Sequence, residues 1–365
     1  MKILGIESSC DETAAAIVED GYKLLSNVVH TQIDIHAEYG GVIPEVAARS
    51  HIEAIGPVVD KALANAGATW DDIDAIAVTY APGLVGSLLI GTLAARTLAV
   101  VHNKPIYPIH HVEAHVYANF ITAQNNISPP LVLPKQQPSF PMLALIVSGG
   151  HTQLVLFRDH GDYELLGQTQ DDAVGEAFDK VAKIIGLPYP GGPSIAKAAV
   201  GGNPYAYKLP KAKLDKPYNF SFSGLKTAVL RAVQHDVGKD FTFPSHALAE
   251  LLTDVQRNDF AASFQRIAVE TLVDKTILAF YEYQPKSVVI AGGVAADLEL
   301  RKQLADRLPI AIEYAPRELC TDNGAMIATI GYYQAQSIEP ADPFALEVTP
   351  SISMRETTWG NNTRD

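Results

Sequence analysis

The chain has 365 residues, a formal net charge of −13, 47% hydrophobic and 19% charged residues. That size and balance fit a well-packed protein of two ordinary domains and exclude a disordered chain. The acidic sum argues against a general phosphate binder. The short, interrupted apolar runs argue against a membrane span, and two cysteines are too few for a disulfide framework and suit a cytoplasmic thiol state.

MKILGIESSCDE, at the N-terminus, reads as a strand and a polar turn, without the apolar core or cleavage site of a signal peptide. Residues 2–29 predict a three-stranded meander: strand, Ser-rich turn, strand, Asp-Gly turn, strand. Helix follows over 43–66, a short apolar strand over 73–83 and an apolar helix over 84–101. The run IHHVEAHVYANF (109–120) has no Pro or Gly after Pro108 and predicts a helix. Residues 127–141, rich in Pro and Gln, read as a connector. The meander then recurs over 142–169, with helices at 174–187 and 194–200 and a buried strand at 286–294. Beyond about Gln336 the mixture of Pro, Ser, Thr and Asn predicts an irregular or disordered tail. Strands alternating with helices in two copies predict an α/β fold, duplicated into two lobes that face each other across a cleft. Residues 1–115 would form the N-terminal lobe, completed by about 300–336. Residues 116–300 would form the C-terminal lobe, and 337–365 the tail.

His111 and His115 are four residues apart, so on a helix both imidazoles share one face and can reach one ion. Asp322, in CTDNGA, is the favoured third ligand. Two His and one carboxylate leave open positions, which suits a catalytic divalent ion, Fe or Zn. A histidine pair at a helix surface is the plainer alternative, and His110 leaves open which imidazoles face inward. Glu113 is rotated about 200° from each histidine of the pair, and the metalloprotease pattern His-Glu-x-x-His is absent, so a peptidase is disfavoured.

Three paired glycines fall at strand ends or helix starts: Gly149-Gly150, Gly191-Gly192 and Gly292-Gly293. Their amides could cradle phosphate or carboxylate oxygens, and a plain tight turn is the alternative at each. None matches the P-loop or dinucleotide fingerprint. Asp179, Asp11 and Glu12 are candidates for hydroxyl contacts near these turns; a solvated helix carboxylate is the alternative for Asp179, and turn formation or capping for Asp11 and Glu12. Between Lys197 and Arg231 seven basic residues face one acid, Asp215, with Tyr205, Tyr207, Tyr218, Phe220 and Phe222 interleaved. That mixture is what phosphate contact and base stacking require; a solvated basic loop is the alternative.

Taken together, SSCDET, GGVIPE, APGLVGSL, HHVEAH, VSGGHT, GEAFDK, YPGGP, FSFSGLKTA, AGGVAAD and CTDNGA occur in the order seen in the tRNA N6-adenosine threonylcarbamoyltransferases, the TsaD family. The chain resembles that family over about residues 1–335. An older label for the family, O-sialoglycoprotein endopeptidase, draws no support from these residues. The resemblance implies the duplicated actin, Hsp70 and sugar-kinase type of fold. It implies transfer of a threonylcarbamoyl group from threonylcarbamoyl-adenylate to N6 of adenosine 37, in tRNAs reading codons that begin with adenine. It further implies one divalent ion, Fe(2+) before Zn(2+), on His111, His115 and Asp322. Donor contacts would come from Ile146, Val147, Ser148, Gly149, Gly150, Asp179, Gly192 and Asp297, with Asp11 the candidate for taking the N6 proton. TsaB-type and TsaE-type proteins are the implied partners, with 33–66 and 84–101 as contact helices and no membrane involved. The chain departs from the family's usual pattern at Asp297, where many members have Asn, and at Ala196, where many carry an acid. These departures bear on donor affinity more than on reaction type. An ATP-dependent kinase or ATPase of the same fold and a non-catalytic scaffold are the rival readings.

Overall fold

The computed structural model describes residues 1–125, 127, 129–356 and 359; Ser128 of the connector and residues 357, 358 and 360–365 of the tail lie outside the described residues. Strands β1 (Lys2–Glu7), β2 (Glu12–Glu19) and β3 (Lys23–Thr31) form an antiparallel meander. With β4 (Ala75–Ala81), β5 (Ile106–His110) and β6 (Ala123–Gln124) they make a six-stranded sheet of order β5-β4-β1-β2-β3-β6. The second sheet holds the meander β7 (Met142–Val147), β8 (Thr152–Asp159) and β9 (Asp162–Gln168), with β10 (Ser287–Ala291) parallel to β7, in the order β10-β7-β8-β9. In each sheet a later parallel strand pairs with the meander's first strand, so the duplication expected from sequence is present in the pairing itself.

The helices in chain order are α1 (Ile33–Ala37), α2 (Pro44–Ala66), α3 (Val85–His102), α4 (His111–Tyr117), α5 (Val174–Ile185), α6 (Gly191–Ala199), α7 (Ser223–Asp236), α8 (Asp254–Tyr283), α9 (Leu298–Arg307), α10 (Arg317–Cys320) and α11 (Gly324–Ala335). The first sheet is covered on both faces, which is why its strands read as continuous apolar runs. Successive residues alternate between two cores. Leu4, Ile6, Ala15, Ile17, Ile76 and Val78 pack with Val58, Val59 and Ala95 of α2 and α3. Ile3, Ala16, Val18, Ala75 and Ala77 face the other way, with Met326, Ile327 and Ile330 of α11 and the strands of the second sheet.

Small residues set how closely α11 approaches the first sheet. A Cβ on Gly5 would lie 2.2 Å from the Gly324 carbonyl oxygen, and one on Gly324 would lie 2.5 Å from the Ala16 amide. Only glycine fits at either contact, and the close approach brings Asp322, two residues before α11, to the edge of the sheet.

Several expectations change. The helix predicted over 109–120 is a strand ending at His110 followed by α4, because 106–110 pairs with β4. The contact segment 33–66 is broken into α1 and α2 at Gly40-Gly41. The helix expected from Ser194 begins at Gly191. One helix, α3, does have the length and composition of a membrane span, with mean hydropathy 1.5; Ser87, Leu88, Gly91, Thr92, Ala95 and Ala99 are buried along it. The tail is irregular but tied down. Ala341 bridges Ile106, and the Arg96 guanidinium donates to the carbonyls of Pro343, Phe344 and Leu346.

Candidate metal centre and cleft

The site begins with a buried charge at the end of an apolar strand. Glu7 closes β1 and is fully buried. It accepts from the Ser9 amide at 2.5 Å, from Thr79 Oγ1 at 2.5 Å and from His111 Nδ1 at 3.1 Å. Ser9 Oγ lies 3.1 Å from the same nitrogen. A carboxylate on Nδ1 fixes the tautomer and turns His111 Nε2 outward. There it lies 3.7 Å from Asp322 Oδ1. His115, one helical turn further along α4, places Nε2 3.3 Å from the same oxygen, and the two imidazoles are 4.7 Å apart between centroids. Ligand atoms of the three residues all lie within 4.8 Å of one another.

The donor set fits a cation. His115 Nδ1 and Nε2 are both buried without a hydrogen-bond partner among the described residues, a costly state for a polar group that a bound ion at Nε2 relieves. His110 does not compete. Its Nδ1 accepts from the Glu113 amide at the start of α4, and its Nε2 lies 3.3 Å from the Ile352 carbonyl. Glu113 points away and is bonded by Trp359 and Tyr163, as its place on the opposite helix face requires.

Electrostatics follow from this packing. Burial lowers the proton affinity of His111, but Glu7 and Asp322 outweigh it and hold the imidazole at about 9. Burial alone would raise Asp322; His111 and His115 beside it instead keep its carboxyl below the usual range. His151 is pushed down to about 3 by burial and by His111, His110 and His115. His111 must lose its Nε2 proton to ligate. Metal uptake near pH 7 is therefore expected to release about one proton, and affinity to rise roughly tenfold per pH unit up to about pH 9. Calorimetric titration in buffers of different ionisation enthalpy reads both; uptake with no proton released would contradict a protonated His111.

A cavity of about 600 Å³ opens onto these groups, lined among others by Asp11, His111, Ser148, Gly149, Gly150, Asp179 and Asp322. The turn after β7 is closed by the Ser148 amide donating to the His151 carbonyl, and the His151 amide donates to Ser148 Oγ at 3.1 Å. Gly149 and Gly150 are exposed, and nothing lies within 4 Å of either Cβ position. Asp179 accepts from the Gly191 amide at 2.6 Å at the start of α6, and burial raises its carboxyl.

Other predicted residues lie elsewhere. Ile146 and Val147 are fully buried in β7, so their side chains serve the core and support the turn. Gly192 is not among the cavity's lining residues. Asp297 caps α9 by accepting from the Leu300 amide at 2.9 Å, and its second oxygen accepts from Gln265 at 2.7 Å, so neither oxygen is uncommitted. The stacking surface expected from the aromatics of 197–231 is reduced to one ring. Phe220, Phe222 and Tyr218 are core residues, and Tyr207 stacks on Phe260 at 3.6 Å. Tyr205 alone of the five is exposed, at 75%. Sequence reasoning missed Glu7, Ser9, Cys10, His151, Glu176, Tyr189 and the loop 82–84 as parts of the site. An acid ending the apolar run KILGIE was the available signal for Glu7.

The sequence profile described as tRNA N6-adenosine threonylcarbamoyltransferase, TsaD, matches residues 23–329. The chain belongs to the TsaD family. A threonylcarbamoyltransferase of that name from Thermomicrobium roseum is 51% identical over 349 residues, covering 94% of each chain. A second, from Symbiobacterium thermophilum, is 51% identical over 334 residues, covering 91% of each. The TsaD motifs of this chain thus converge in three dimensions: SSCDET, GGVIPE, APGLVGSL, HHVEAH, VSGGHT, GEAFDK and CTDNGA each contribute to the cavity wall.

Proposed function

We propose that the protein transfers the threonylcarbamoyl group of threonylcarbamoyl-adenylate to N6 of adenosine 37, in tRNAs reading codons that begin with adenine. The observation that carries this reading is the convergence of His111, His115 and Asp322, with His111 and Asp322 lining a cavity that also holds Ser148–Gly150, Asp179 and Asp11. His111, His115 and Asp322 would hold one divalent ion, Fe(2+) before Zn(2+), whose chemistry when bound is Lewis-acid polarisation of the donor's carbonyl or carboxylate oxygens. The amides of Gly149 and Gly150 would face charge that develops on the donor as its anhydride bond breaks. Asp179 would orient a donor hydroxyl with the carboxylate oxygen that Gly191 leaves open. Asp11 would accept the N6 proton as the new carbon–nitrogen bond forms and AMP departs. N6 is a weak nucleophile, so the cleft's main contribution is to hold amine and acyl carbon in line.

Exposed Lys208, Lys213 and Lys216 and the ring of Tyr205, 4.6 Å above the Arg266 guanidinium, offer tRNA a backbone and stacking surface despite the acidic sum. Val85, Leu89, Leu93 and Val101 line the exposed face of α3, and Ile52 is exposed on α2; this face would dock a TsaB-type partner, with a TsaE-type protein acting alongside. A cytoplasmic location, where tRNA and these partners meet, goes with this reading.

The test combines purified protein, threonylcarbamoyl-adenylate, partner proteins, ATP and unmodified tRNA, read by nucleoside mass analysis. Threonylcarbamoyl-adenosine is the expected product, and Leu93→Asp should lower its yield most when partner is scarce. Absence of product, while a related enzyme works in the same mixture, would favour the kinase or scaffold reading.

A further inference from the structure

Glu113 is fully buried on the ligand helix and takes no part in the cleft. Its carboxylate ties three separate segments together. Trp359 Nε1 donates to Oε1 at 2.9 Å, the Tyr163 hydroxyl of β9 donates to Oε2 at 3.3 Å, and the backbone belongs to α4 between His111 and His115. Burying a carboxyl group is costly unless its oxygens are bonded, and the tail supplies one of the two donors here.

The tail reaches Glu113 through a series of ties. After the Arg96 carbonyl clamp, the Thr349 amide donates to the Tyr80 carbonyl at 3.0 Å, and the Gly83 amide donates to the Pro350 carbonyl at 3.1 Å. Gly83 lines the cavity. The Ile352 carbonyl then meets His110 at the first turn of α4, and the Met354 and Trp359 side chains are buried. The segment thus contacts the cavity loop, the start of the ligand helix and that helix's rear face.

We infer that residues 341–356 form a strap, latched by Trp359 on Glu113, that positions α4 and so sets where His111 and His115 stand relative to Asp322. The helix has only seven residues, so its own hydrogen bonds hold its orientation weakly. Trp359 and Glu113 are positioning residues: they touch neither substrate nor ion.

This inference rests on the metal-site reading, and the test separates the two. Metal affinity of the full chain is measured by competition with a chromophoric chelator, and ligand geometry by the visible absorption of the cobalt(II)-loaded protein. Trp359→Phe keeps the ring and removes the N–H donor. It is expected to weaken binding roughly tenfold and to shift the cobalt bands. Glu113→Ala, which also removes the acceptor of the Tyr163 hydroxyl, should give at least that loss, and the double variant no more than Glu113→Ala alone, because the Trp359–Glu113 bond is already gone in it. Glu113→Gln keeps a carbonyl acceptor and should retain near-native affinity; it carries the test with Trp359→Phe if Glu113→Ala does not fold. Unchanged affinity and spectrum in Trp359→Phe, or strictly additive losses, would overturn the strap while leaving the metal site standing. A wild-type chain that takes up no divalent ion would overturn both.

Discussion

Asp322→Ala is expected to abolish metal retention and threonylcarbamoyl transfer together. The three ligands come from two elements only: α4 supplies both imidazoles, and Asp322 supplies the opposing charge from the turn before α11. Without it the two histidines remain as neighbours on one helix face with no anion across from them, and two neutral ligands hold a divalent ion weakly. The expected loss of transfer is on the order of 10³-fold or more, the share of barrier lowering that Lewis-acid polarisation supplies. Metal content by elemental analysis and product by nucleoside mass should fall in step. The melting temperature of the metal-free variant should stay near that of the metal-free wild type, because the Asp322 side chain is partly open to the cavity. Retained metal with lost transfer would move Asp322 from ligand to substrate contact.

Glu7→Gln is expected to give the second-largest effect, and its size should depend on pH. Glu7 is fully buried and bonded through its carboxylate to the imidazole of His111, a candidate metal ligand. Its charge makes His111 Nε2 a stronger donor and at the same time holds a proton on His111 up to about pH 9. The two consequences oppose each other at neutral pH. Above pH 9 the wild-type proton is gone and only the loss of donor strength remains, so affinity should fall roughly 10- to 100-fold there. At pH 7 the gap should narrow, because the variant no longer pays to displace a proton. Chelator competition at the two pH values measures this directly; a gap that does not change with pH would remove Glu7 from control of His111. Glu7→Ala should in addition unfold more readily, by about 3–5 kcal/mol, since it strands the Ser9 amide, Thr79 and His111 in the core.

The sequence alone carried the two-fold plan, because a meander followed by helices and a returning parallel strand leaves a period-two apolar pattern in each copy. It carried the His111, His115 and Asp322 triad as well, since helical spacing fixes which pair can converge and the ordered motifs supply the third member. It also carried the family. Local pattern did not decide the roles of residues whose partners are far along the chain. No local pattern shows that Asp297 accepts from Gln265 and from the start of α9. Phe220 and Phe222 alternate with basic residues like a stacking surface, yet both are fully buried in the larger hydrophobic core. Glu7 became a support of the His111, His115 and Asp322 group only when β1, β4 and α4 met. The tail's composition predicts irregular backbone and says nothing of what holds it. Its attachment depended on Arg96, Tyr80, Gly83 and Glu113, between about 240 and 270 residues away in sequence, and no short-range signal encodes contacts of that separation. Propensity and periodicity act over a few residues, whereas burial and hydrogen-bond satisfaction are settled by the assembled core, and this site was completed at that second level.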